Sequence, residues 1–252
     1  MRVPIKKTMR SGGQRIHWVK PRWGRFDALT RQLFVAPPVV HHGYKTGEAE
    51  TKHAIRAIFG QEPDSSTWGR LVAGVAGSTL YLDGYEDDDT GDFGVFADVR
   101  ASPITSHAER LVLLSGMGGA CFMRNVGIAR AVGAPAGSVR RVVAVQIMTA
   151  RALGLQRISL EAGGPPRYSG YAVWPLLGFD GLLQQDLHRE VIREFERLHG
   201  RVPRTVREVA QTNYDLWRDK GRGFRGEFAL STYNTQWEDL LRYLEMEGIY
   251  RP

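Results

Sequence analysis

The chain has 252 residues, 42% of them apolar, with 34 basic and 27 acidic side chains and a net charge of +7. That length suits one large domain or one domain with extensions, and no 18-residue apolar run is present to span a bilayer. The one cysteine, Cys121, excludes an internal disulfide framework and points to a reducing compartment, such as the cytoplasm of a bacterial or phage-infected cell, with virion association also compatible.

The charge is unevenly spread. Residues 1–26 hold eight cations (Arg2, Lys6, Lys7, Arg10, Arg15, Lys20, Arg22 and Arg25) and no acid, leaving 26 basic against 27 acidic residues in the rest. The excess therefore belongs to an arm, which suits nucleic acid or an acidic protein surface as partner. Trp18 and Trp23 lie between the charges, where they could stack on bases or anchor in a groove. A solubilising tail is the alternative. No apolar stretch follows these charges, so a secretory leader is not expected, and Gly12-Gly13 and Pro21 interrupt any amphipathic presequence. Residues 27–45, with Pro37-Pro38 and His41-His42, read as an irregular connector, so 1–45 form arm and connector together.

Helical spacing is expected over 48–60, where Ala54, Ile55, Ile58 and Phe59 share a face, and over 66–76. Segments 78–85 and 94–101 read as a hairpin around the acidic turn EDDDTGD, whose spacing does not fit a calcium loop. Two strand-like runs follow, 109–115 and 120–130. Residues 138–153 form the clearest helix, with Ser138 at its start and Gly154 at its end. A strand through Ile158 and Leu160 comes next. The last third reads as helix 183–199, helix 206–219, strand 225–230 and helix 236–247, with Thr205-x-x-Glu208 and Thr235-x-x-Glu238 matching the capping box.

Between strand and last third lies GGPPRYSGYAVWPLLGFD, residues 163–180, a small-residue loop followed by a short aromatic helix and a Gly-Phe turn. With VQIMTARALGLQRISLEAGG before it, this order resembles the GNAT acyltransferase superfamily over roughly residues 48–182 and a strand near 228. It is similar to the "GYYxWPxLGFD" variety seen in uncharacterised bacterial and phage-associated proteins. The resemblance implies an α/β (α+β) fold with a mixed, mostly antiparallel sheet flanked by helices. Its core would span 46–182, with a helical extension over 183–252 returning a strand to the core. The implied activity is acyl-CoA-dependent N-acyltransfer, with acetyl-CoA or another acyl-CoA as cofactor and an amine as acceptor. The alternative is a non-catalytic GNAT-like binding or structural protein.

A pyrophosphate needs converging backbone N–H donors, and a helix N-terminus reached through a small-residue turn supplies them. Gly133, Ala134, Ala136, Gly137, Ser138 and Val139 make up such a turn and helix start, and Arg140 and Arg141 add charge. The preceding Val126, Gly127 and Ile128 are expected to offer N–H groups to pantetheine and to the thioester oxygen. The family's loop usually reads Gln/Arg-x-x-Gly-x-Gly/Ala. Aligning Gly137 with its first glycine puts Ala134 and Val139 at departures from that pattern. Trp174 occupies the place where many members carry an acidic tyrosine, which leaves Tyr171 and Tyr168 as substitutes and Glu161 as candidate base. The seven histidines show no zinc spacing, and Ser115 to Gly119 lacks the Gly-x-Ser-x-Gly order of a hydrolase.

Overall fold

The computed structural model describes residues 23–116, 119–163, 170–231 and 234–251. A 3-10 turn at Trp23–Arg25 leads into α1 (Ala28–Leu33), whose N-cap Asp27 accepts from the Thr30 N–H at 2.8 Å. After Pro37-Pro38 comes β1 (Val39–His42), which pairs parallel with the later β2. The segment expected to be irregular thus holds a helix and an edge strand. Six- and four-residue elements are too short to display a period, and the proline pair masks the strand's entry.

The arm also ends earlier than expected. Phe26 is buried at 2% exposure, bridges to Tyr250, and meets that ring edge-on at 4.8 Å. Trp23 packs on Phe26 and Phe34, with the Arg70 guanidinium 4.3 Å over its ring. Residues 23–26 therefore belong to the folded body, and Trp18 lies outside the described residues.

α2 (Glu48–Phe59) and α3 (Ser65–Val72) follow, the latter shorter than expected because Ala73 turns left-handed at φ +74°. β2 (Thr79–Glu86) and β3 (Phe93–Arg100) form the expected hairpin, closed by Asp87, whose carboxylate accepts from the Asp89 and Thr90 N–H groups. β4 (Thr105–Leu114) starts four residues earlier than apolarity indicates, because Ser106, His107 and Glu109 face outward. β5 (Cys121–Arg130), α4 (Ser138–Ala152) and β6 (Arg157–Ala162) make a parallel crossover. A parallel pair needs a long connection of this kind.

α5 (Gly170–Val173) runs into a 3-10 turn at Trp174–Leu177, and α6 (Gln185–His199) follows. The helix expected over 206–219 is two, α7 (Val206–Thr212) and α8 (Tyr214–Lys220). Asn213 breaks it at φ −149° and recaps α8 by accepting from the Leu216 N–H. β7 (Phe224–Ala229) and α9 (Thr235–Met246) complete the chain. Thr205 accepts from the Glu208 N–H as a cap should. Asn234, not Thr235, caps α9 by accepting from the Gln236 N–H.

Among the described residues seven strands lie in sequence order, with β1·β2 and β5·β6 parallel and the other pairs antiparallel. The sheet is mixed and mostly antiparallel, and β7 is the strand the last third returns to it. Ile55, Trp68, Leu71, Val143 and Ile147 from the helices bury against Leu80, Val95, Val112 and Met123 from the strands. Leu111, Leu113 and Phe122 point to the opposite sheet face and form a smaller cluster. Among the described residues no helix is long and apolar enough to cross a membrane.

Candidate functional site

β5 and β6 stay paired only from Met123–Ile158 to Asn125–Leu160, and β5 then runs on to Arg130 beside β4 alone. The strands part at that point because β5 also kinks. Its register with β4 shifts between Glu109 and Arg110, so Val126 is an extra residue between Asn125 and Gly127. Such a bulge bends a strand and increases its twist. The wedge left between the strands is a cleft of about 720 Å³.

Val126 to Arg130 floor this cleft along an edge of β5 that β6 no longer covers. Val143, Leu160, Val173, Trp174 and Leu177 supply an apolar wall. Gly137, Val139 and Arg140, the first turn of α4, form the rim. That turn holds no acid and no side chain caps it. The Ser138 N–H closes a turn onto the Pro135 carbonyl, and the Arg141 N–H bonds the Gly137 carbonyl. Helix geometry leaves the Val139 and Arg140 N–H groups without intrahelical acceptors, at the positive end of the dipole.

Several expected residues sit elsewhere. Gly137, at φ +74°, is the N-cap, and Ser138 is buried with its hydroxyl donating to Pro135, so Ser138 does not cap the helix. Ala134 is buried in a cluster with Val75, Ile104 and Val142, and Gly133 and Ala136 lie outside the cleft lining. Val139 packs part of its side chain against the core. Arg141 is held by Asp27 at 2.8 Å, whereas Arg140 lines the cleft and pairs with Glu247 at 3.0 Å. Burial raises the Asp27 pKa, but hydrogen bonds from Arg141 and Thr30 outweigh it and hold the carboxyl below its usual value.

Tyr171 must be reassigned. Its hydroxyl donates to the Arg218 carbonyl at 2.7 Å and its ring lies edge-on to Trp217, away from the cleft lining. The phenol proton is used inside the fold, so Tyr171 is not placed to protonate a leaving group. Tyr168 lies outside the described residues. Trp174 does line the cleft, propped edge-on against Phe179 at 5.1 Å. Glu161 reaches the cleft from the end of β6, with its side chain mostly exposed and Arg225 3.7 Å away.

Two groups escaped sequence reasoning. His107 lines the cleft from β4, with Nε2 3.6 Å from the Glu109 carboxylate. Gly127 makes room for it, since a Cβ there would lie 2.6 Å from the imidazole. The signal was legible: His107 and Glu109, two apart on a strand, share a face. Asn125 closes the head of the cleft at 4% exposure. Its Oδ1 accepts from Gln146 at 3.2 Å, while its Nδ2 finds no partner among the described residues. Among the described residues no group of three or more potential metal ligands assembles.

Comparison with protein-family models, curated proteins and solved structures finds no match to this chain.

Proposed function

We propose that this chain is an acyl-CoA-dependent N-acyltransferase, moving an acyl group, acetyl in the simplest case, to an amine. The observation that carries the reading is the parting of β5 and β6 after Asn125, with the uncapped first turn of α4 at the rim of the resulting cleft. These residues fit the group. The open edge of β5 suits the two amides of pantetheine as an added strand would. The Val139 and Arg140 N–H groups and the Arg140 side chain suit a pyrophosphate. The apolar wall suits the thioester end, and Asn125 presents an unused donor where that end would stop.

When bound, the thioester supplies an activated acyl carbon. His107, oriented by Glu109, takes the proton from the incoming amine. With acyl-CoA bound, the Ile128 backbone N–H, on the open side of β5, would donate to the thioester carbonyl oxygen and stabilise the charge that develops there. No described tyrosine lines the cleft, so the CoA thiolate would take its proton from solvent. Glu161 at the far wall attracts the cationic acceptor. An acyl-CoA donor and a single cysteine both suit a cytoplasmic protein.

A non-catalytic relative of the same fold, phage-associated or not, is favoured by the sealed Tyr171 and by Trp174 in place of a tyrosine. Calorimetry with CoA at up to millimolar concentration separates the two. The expected result is measurable heat for the full chain and its loss in Arg140→Glu, which puts an anion at the rim. Gly137→Glu is a poorer probe, because φ is +74° there and a Cβ would meet Arg141 at 2.8 Å. An unmodified chain that binds no CoA would move the assignment to the non-catalytic reading.

The basic residues 1–22 extend this proposal to a polyanionic partner, nucleic acid or an acidic protein surface.

A further inference from the structure

Arg110 is wholly buried on β4, and among the described residues no carboxylate pairs with it. Its Nε and Nη2 find no partner there either. Burial pushes its pKa down to about 9, against the opposing field of the Glu109 carboxylate, so it remains charged at neutral pH. A buried, unpaired charge is costly, and an apolar residue of similar size in its place is often neutral or stabilising. Fold stability alone gives no reason for a guanidinium at this point.

Its bonds give one. Nη1 donates to the Glu109 carbonyl at 2.7 Å and to the Gly127 carbonyl at 2.5 Å. A nitrogen that bonds a carbonyl on each strand lies between them, so the Gly127 C=O points toward β4. The peptide unit is planar and trans, so the N–H of Ile128 points the opposite way. That is the side β6 has left, and Ile128 lines the cleft. The bulge at Val126 has disturbed the ladder beside this peptide, so its orientation needs holding.

We infer that Arg110 is a positioning residue that fixes and polarises the Gly127–Ile128 peptide, so that its N–H donates to the carbonyl oxygen of the thioester. The inference rests on the acyltransfer reading. A cation on the carbonyl end of a peptide draws electron density from its N–H and strengthens it as a donor, more so in a low-dielectric interior.

The test compares acetyl-CoA with S-ethyl-CoA, which lacks the carbonyl, in the full-length protein and in Arg110→Met and Arg110→Lys. Calorimetry gives the affinity ratio, and infrared spectra of ¹³C-labelled acetyl-CoA give the carbonyl stretch. In the unmodified protein the stretch should move to lower frequency and acetyl-CoA should bind about ten-fold tighter, the worth of one hydrogen bond. Arg110→Met should lose both while keeping its affinity for S-ethyl-CoA and its melting temperature. Arg110→Lys, which keeps the charge but not the reach to two carbonyls, should lie between. An unchanged ratio and stretch in either folded variant overturns the inference and leaves the acyltransfer reading intact. So does an unmodified protein that binds both ligands with no carbonyl shift. If the unmodified protein binds neither, both fall together.

Discussion

Two side chains weighed for the chemistry have opposite fates. Tyr171 gives its hydroxyl proton to the Arg218 carbonyl, and its own carbonyl accepts from the Trp217 indole at 2.9 Å. Tyr171→Phe should therefore lower stability by about 0.5–1.5 kcal/mol, the net worth of such a bond, and leave turnover alone. Chemical denaturation beside steady-state rates checks both halves. A large fall in turnover with unchanged stability would restore the phenol to the mechanism. His107 stands over Gly127 with half of its side chain exposed, so nothing in the core depends on it. His107→Gln should cost ~10²–10⁴-fold in turnover, the usual worth of a general base, with CoA affinity unchanged. Turnover that survives in His107→Gln and fails in Glu161→Gln would transfer the role to Glu161. The sequence places Tyr171 one helical turn from Trp174, but it cannot say which way the hydroxyl points. That direction is set by Arg218 on α8, 47 residues further on.

The elements that build the cleft were legible to different degrees. α4 declares itself, because its apolar spacing and flanking glycines agree over four turns. The β5 bulge does not, since Val126 looks like any strand residue until the register with β4 is known. The break at Asn213 was hidden for a related reason. α7 and α8 continue one apolar stripe, and only the cap made by the Asn213 side chain separates them. The Leu177-Gly178-Phe179 phrase has a mechanical meaning that its letters foreshadow. Gly178 turns left-handed at φ +88° and passes so close to its neighbours that a Cβ would lie 2.6 Å from the Gln236 carbonyl and 2.7 Å from Phe228. That turn seats Trp174 and Leu177 as the cleft wall and delivers Phe179 into the core. Gly178→Ala should cost more than the roughly 1–2 kcal/mol of left-handed strain alone and should weaken CoA binding. Gly154→Ala is the control, because φ is +84° there but a Cβ meets open space. Equal losses of melting temperature in the two variants would show that close packing at Gly178 matters little.

On the scale of the whole molecule, the near-neutral body and the cationic N-terminal stretch are separable questions, and two truncations keep them apart. Removing residues 1–22 takes away seven of the eight clustered charges and leaves every contact described above in place. Removing 1–26 also takes away Phe26 and Trp23 and the Arg25 carbonyl that accepts from the Arg251 N–H at 2.9 Å. Losing a buried phenylalanine ring typically costs ~3–5 kcal/mol, so the longer truncation should melt well below the shorter one. The shorter truncation is then the fair test of partner binding. If the stretch engages nucleic acid through charge, log affinity for a labelled single-stranded oligonucleotide should fall linearly with log salt. The slope is about −0.7 per phosphate neutralised, hence no steeper than about −5 for seven cations. A stronger interaction with polyglutamate than with the oligonucleotide, matched for charge, would identify the partner surface as acidic protein instead. Binding that is equal in the full-length and 1–22-deleted proteins and indifferent to salt would dismiss a polyanion altogether. The cations would then serve solubility, and the partner of the cleft would have to be recognised by the body alone, where 26 basic residues plus Arg25 balance 27 acidic ones and net charge favours neither sign.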